Sequence, residues 1–127
     1  MLAVDTNVVV RLLVSDAQTA AAKAVFARDT IFISDTVLLE TEWVLRSVYG
    51  FEGAEIARGL TDVVGLSQVQ LESPDLVGFA ISALKRGLDF ADAMHLGAAR
   101  NCEAFISFDR KLARDSAGWA SPVVRAP

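Results

Sequence analysis

Four carboxylates stand where a folded α/β chain can put them to chemical use. Asp5 ends the apolar run Leu2–Val4, and Asp109 directly follows the apolar FISF segment. Glu40 lies in an apolar-periodic stretch after a second β-rich run, and Asp92 falls three residues after Asp89 at the opening of a helical pattern. Open parallel sheets bind ligands beyond the carboxyl ends of their strands, and Asp5 and Asp109 occupy such ends. In a first helical turn, the dipole and the free backbone N–H groups favour the Asp92 carboxylate. If the connecting loops bring these elements together, three or four acids converge with no cysteine and little histidine nearby. Such an all-oxygen donor set suits Mg²⁺ or Mn²⁺. Like charges that close raise one another's pKa unless a cation neutralises them. The corresponding chemistry is metal-assisted hydrolysis, in which water is made nucleophilic and charge developing on a phosphoryl oxygen is stabilised.

Glu40 and Glu42 share one predicted helix, and helix geometry distinguishes them. At about 100° per residue, Glu42 falls beside Arg46 at i+4, so a surface ion pair accounts for it without function. Glu40 lies on the opposite border of the apolar face, near Trp43 and Val44, with no basic residue three or four positions on. The spacing therefore favours Glu40 as the reactive acid.

Each of these residues also has an ordinary explanation. Asp89 and Asp92 are spaced as N-cap and N3 of a helix, and Asp109 is placed to cap a short one. Asp5 at a buried strand end lacks such an account, because an unpaired carboxylate there costs energy without packing gain. His95, one turn after Asp92, is expected to be a hydrogen-bonded core residue. Cys102 reads as a packed thiol, and Trp43, Trp119 and the phenylalanines as core or interface. Arg110, Lys111 and Arg114 follow Asp109, and Lys85 and Arg86 precede Asp89. These basic groups are either phosphate contacts or a solvated helix face.

The elements that must position these groups alternate. Strands are expected at Leu2–Val4, Thr30–Ile33, Val69–Leu71, Ala104–Ser107 and Pro122–Val124. Helices are expected over Thr6–Val14, Asp16–Arg28, Asp35–Tyr49, Gly53–Val64, Pro74–Arg86, Asp89–Asn101 and Asp109–Asp115, with Gly50 and Gly87 closing two of them. Short strands separated by helices imply the α/β class, a central parallel sheet flanked by helices on both faces. The 127 residues fit a single domain, 1–127.

Composition narrows the function classes. Hydrophobic residues make up 53% and charged residues 22%, with 3 Pro and 8 Gly, which excludes a disordered or fibrous chain. The net charge of −4 argues against a general phosphate-backbone binder but not against a nucleic-acid substrate whose site is built on metal. One cysteine excludes an internal disulfide and a thiolate metal site from this chain alone. The start of the chain, with Asp5 early and Arg11 interrupting its apolar stretch, lacks the pattern of a signal peptide. No window approaches the roughly 20 apolar residues of a membrane span. The expected setting is a reducing cytoplasm.

Four segments, DTNVVVRLL, VLLETEWVLRS, DFADAMHLGAA and FISFDRKL, resemble in order the signature segments of PIN-domain proteins, and most nearly those of VapC-type toxins of bacterial toxin–antitoxin pairs. The resemblance implies a PIN-like fold and a Mg²⁺- or Mn²⁺-dependent ribonuclease. It implies an acidic site of Asp5, Glu40, Asp92 and Asp109, in which Asp5, Asp92 and Asp109 bind metal and Glu40 orients or deprotonates the attacking water. Thr6 and Asn7 match the family after the first aspartate, and Ser107 matches a position usually held by Thr or Ser. Family members often carry an apolar residue where Glu42 stands, which leaves a swap of roles between Glu40 and Glu42 open. The resemblance further implies an RNA substrate, a homodimer and a VapB-like protein antitoxin whose tail covers the acidic site, often through basic residues.

Two alternatives remain at this level. An Asp- and Mg²⁺-dependent phosphotransfer module, receiver- or phosphatase-like, also uses acids at strand ends. A receiver is expected to carry an acidic pair after the first strand, and a DxD phosphatase needs an acid where Asn7 stands. The other alternative is a catalytically inactive PIN-like binding protein.

Overall fold

The parallel pairing of three short strands explains why Asp5 and the start of the Glu40 helix both lie at the carboxyl end of one sheet. The computed structural model describes residues 1–127 and contains five strands and seven helices. They divide into two compact units, Met1–Pro74 and Asp75–Pro127.

The first unit runs β1 (Leu2–Ala3), α1 (Thr6–Leu13), α2 (Thr19–Arg28), β2 (Ile31–Ile33), α3 (Asp35–Ser47), α4 (Gly53–Val64) and β3 (Val69–Leu71). Its sheet has the order β1-β2-β3, all parallel, with Leu2 opposite Ile31 and Ile31 opposite Val69. β2 is central, and Ile31 and Ile33 are fully buried. β1 is an exposed two-residue edge strand rather than a buried one, since only β2 pairs with it and Leu2 and Ala3 face solvent.

Local chemistry sets the helix boundaries. α1 opens on Asp5, whose carboxylate accepts the Thr6 N–H at 2.8 Å, and it buries Val9 and Val10. α2 begins at Thr19 rather than Asp16. The Asp16 carboxylate accepts the Gln18 N–H at 2.7 Å, and Thr19 Oγ1 accepts the Asp16 N–H at 2.9 Å, so this stretch folds into a polar turn instead. α3 is capped by Ser34, whose Oγ accepts the Val37 N–H at 3.2 Å. It buries Leu38, Thr41, Glu42 and Leu45, the i, i+3, i+4, i+7 stripe of an amphipathic helix. It ends at Ser47, two residues earlier than expected, and the chain turns at Gly50 with φ of 71°.

The second unit holds α5 (Pro74–Lys85, opening on the last residue of the first unit), α6 (Phe90–Ala98), β4 (Ala104–Ile106), α7 (Arg110–Ser116) and β5 (Val123–Arg125). β4 and β5 pair in parallel, with Ala104 opposite Val123. The strands expected in one central sheet thus form two parallel sheets, one in each unit. α5 closes on Gly87, φ 92°, with the Leu88 N–H bonded to the Ala83 carbonyl and the Gly87 N–H to that of Leu84. This left-handed cap is one that glycine adopts without steric cost. The architecture is α/β, as expected.

Candidate active site

In the first unit, Asp5 and Glu40 line one cleft of about 370 Å³, together with Thr6, Asn7, Arg11 and Tyr49. Asp5 reaches it from the β1–α1 junction. Its side chain is exposed, which corrects the expectation of a buried strand-end carboxylate, and capping α1 gives it a structural role as well. Glu40 comes from the second turn of α3, is exposed, and makes no hydrogen bond or ion pair. Between these acids in sequence, Thr6 is 6% exposed and its buried Oγ1 has no hydrogen-bond partner.

Glu42 points elsewhere. It is 2% exposed, and its two oxygens accept Arg46 Nε at 3.0 Å and Nη2 at 3.3 Å. The expected i,i+4 pair forms, but the carboxylate is buried rather than at the surface. Glu42 lies four residues after Leu38 and three before Leu45, so it shares their inward stripe and needs the guanidinium for charge balance.

In the second unit, Asp92 is half-buried at the start of α6. Its backbone N–H donates to the Asp89 carboxylate at 3.0 Å, the helix cap expected from spacing. Burial is the main cause that raises the Asp92 pKa, and the negative charges of Asp89 and Asp109 add to it, while His95 opposes them. Asp109 therefore acts electrostatically on Asp92 within this unit. Asp109 is itself fixed at both ends: its N–H donates to Ser107 Oγ at 3.0 Å, and its carboxylate accepts the Leu112 N–H at 3.0 Å.

Several expectations are corrected here. His95 is exposed, because α6 buries Phe90, Ala93, Met94, Leu96 and Gly97, and position 95 falls outside that stripe. Cys102 is exposed in the turn after α6. Phe108 and Trp43, expected in core or interface, are 88% and 53% exposed and so are not core. Of the basic groups, Lys111 and Arg114 pair with Asp115, and Arg86 sits 4.2 Å over the Trp119 ring. They are held by the protein itself, which favours the helix-face reading for these three. Arg11, which in the sequence only interrupts an apolar stretch, also lines the cleft, and its i+4 spacing from Asn7 places both on one face of α1.

The donor chemistry fits a hard divalent cation. Asp5 spends one oxygen on the Thr6 N–H, Glu40 spends none, and Asp92 is an acid that burial first, and then neighbouring acids, have made harder to ionise. A cation relieves that repulsion. Asp5 and Glu40 lie in the first unit and Asp92 and Asp109 in the second, and no group of three or more His, Cys, Asp or Glu side chains lies close enough together to hold a metal ion.

A family model described as PIN domain matches residues 2–116, a span that runs through both units. No curated protein matches the chain.

Proposed function

The chain belongs to the PIN domain family, whose members are generally metal-dependent nucleases, and from that premise we propose that it is a Mg²⁺- or Mn²⁺-dependent endoribonuclease. Its proposed role is that of a VapC-type toxin, a cytoplasmic homodimer neutralised by a VapB-like protein antitoxin, with residues 1–127 as one PIN domain. Membership in this family decides against the receiver- or phosphatase-like module. The observation that carries the catalytic reading, against an inactive PIN-like binder, is the cleft shared by Asp5 and Glu40, in which neither carboxylate is paired with a cation.

A divalent ion, when bound, supplies Lewis acidity to a phosphoryl oxygen and acidifies water. The carboxylates proposed to hold it are Asp5 in the first unit and Asp92 and Asp109 in the second. Asp5 is held in orientation by the Thr6 N–H, and Asp109 by Ser107 Oγ and the Leu112 N–H. Such fixed first contacts reduce the reorganisation needed when substrate arrives. Glu40, free of partners, is the proposed base: it takes the proton of the attacking water as the new P–O bond forms and the bond to the leaving ribose oxygen breaks. That oxygen leaves with a proton from solvent. Glu42, bound by Arg46 and buried, is removed from this role.

The test is RNA cleavage by purified protein across a Mg²⁺ and Mn²⁺ titration. Cleavage should need the metal and disappear in Asp5→Asn with the fold retained by circular dichroism. Undiminished RNase activity in that variant would sink the reading. For the toxin role, growth arrest on expression should be relieved by the product of a short neighbouring reading frame.

A further inference from the structure

Arg11 lines not only the cleft of Asp5 and Glu40 but also a second one of about 350 Å³, walled by Val8, Gln18, Ala22 and Val25. Asn7, one helical turn earlier on α1, lines both as well. Two clefts with a common wall at Asn7 and Arg11 describe a path that a polymer can follow.

The guanidinium on this wall is anchored. Asp16 lies 2.6 Å from Arg11 Nε, and Gln18 Oε1 accepts from the same Nε at 3.1 Å. The side chain is 23% exposed. Both anchors act at Nε, so the terminal Nη groups form the open edge of the fork. A planar fork held at one edge and open at the other matches two oxygens of a phosphate. Its rotamer freedom is already spent in the free protein, so little further ordering accompanies binding.

Its surroundings favour a phosphodiester over a free anion. The first cleft holds the carboxylates of Asp5 and Glu40, which repel anions, and Arg11 is the one basic side chain among its lining residues. The second cleft is lined chiefly by small and aliphatic side chains, which suit the face of a nucleoside.

We propose that Arg11, positioned by Asp16 and Gln18, is a phosphate-binding residue for a single-stranded RNA chain, holding the backbone where it passes from the acidic cleft into the Val8–Ala22–Val25 cleft. This deepens, and rests on, the ribonuclease reading. Arg11 is a positioning residue for the strand and takes no proton.

The experiment is fluorescence anisotropy of a labelled single-stranded oligoribonucleotide over a range of salt, without divalent metal, in an Asp5→Asn background so that nothing is cleaved. Arg11→Gln should weaken binding about tenfold, the scale of a charge-assisted hydrogen bond. It should also reduce the slope of log K against log salt by about 0.7, the loss of one phosphate contact. In the active protein the same change should raise KM and leave kcat within about twofold, as expected for uniform binding. Unchanged affinity and slope would overturn the proposal. Should Arg11→Gln fold poorly, the double change Asp16→Asn with Gln18→Ala keeps the charge of Arg11 and removes its anchors. Weaker RNA binding then supports the positioned fork, whereas tighter binding, the result of merely deleting an acid, overturns it. If wild-type protein binds RNA through Arg11 but cleaves none with metal, the nuclease reading fails and the subsite stands. If it cleaves with no dependence on Arg11, the reverse holds.

Discussion

The Asp89 carboxylate accepts the backbone N–H of Asp92 at 3.0 Å and, through its charge, also raises the pKa of the Asp92 side chain. One residue thus starts α6 and adds to burial, the main cause, in raising the proton affinity of an acid three positions on. Burial and Asp109 act in the same direction. A carboxyl whose pKa is higher in the folded than in the unfolded protein favours folding most when protonated. For metal-free protein, the Asp92 contribution is therefore greatest below its ordinary value of 3.8 and is lost as pH rises from there through the raised folded value. Asp89→Asn keeps a side-chain oxygen for the cap but removes the charge. The Asp92 carboxyl, followed by carbon-detected NMR in the metal-free protein, should then titrate closer to 3.8. A titration that does not move would mean that Asp89 does not act on Asp92.

Glu40 and Glu42 should separate activity from stability. Glu40 is exposed and unpaired, so Glu40→Ala should change unfolding free energy by no more than about 0.5 kcal/mol while abolishing RNA cleavage. Glu42 is buried against Arg46, itself about half exposed. Removing that carboxylate breaks a partly buried pair, and Glu42→Ala should cost about 1–3 kcal/mol, below the range for fully buried pairs because solvent screens Arg46. Urea denaturation of both variants checks the contrast. A reversed pattern would transfer the catalytic assignment to Glu42.

Divalent metal should stabilise the protein by binding linkage. At about a hundredfold excess over its dissociation constant, a cation that binds only the folded state adds about 2.7 kcal/mol. Millimolar Mg²⁺ or Mn²⁺ should therefore raise Tm by several degrees in wild type and much less in Asp5→Asn, measured by calorimetry. No shift in wild type would count against a metal site.

Gly97 marks a close approach of α6 to α5. A Cβ there would lie 2.6 Å from Leu76 Cδ1 and 2.8 Å from Phe79 Cδ1. Alanine improves helix propensity by about 1 kcal/mol, but overpacking typically costs about 1–3 kcal/mol. Gly97→Ala should be net destabilising by about 1 kcal/mol in chemical denaturation, and Leu76→Val should recover part of the loss in the double variant.

The order of elements was legible because its signals are local. Ser34 before α3, Pro74 at the head of α5, Gly87 behind it and Asp109 before α7 each act within four residues of the backbone they satisfy or turn. Boundaries slipped where a nearby side chain competed for the same backbone groups, as Asp16 and Thr19 did at the start of α2. The pairing of Glu42 with Arg46 also followed from spacing, since i,i+4 neighbours meet on any helix.

What a residue faces is a different kind of fact. The same helical period that lined up Glu42 with Arg46 left undecided that Glu42 turns inward with Leu38 and Leu45. Likewise, only packing put His95, Cys102 and Phe108 at the surface and left β1 an exposed edge. Asp16 and Gln18 meet Arg11 across the α1–α2 turn, and no period of the sequence encodes that contact. By itself the sequence determined the α/β order and the caps, because these rest on backbone hydrogen bonding and side-chain chemistry close along the chain. The tertiary structure alone decided burial, which cleft Asp5 and Glu40 share, and which arginine stands on its wall, because those depend on contacts between segments distant in sequence.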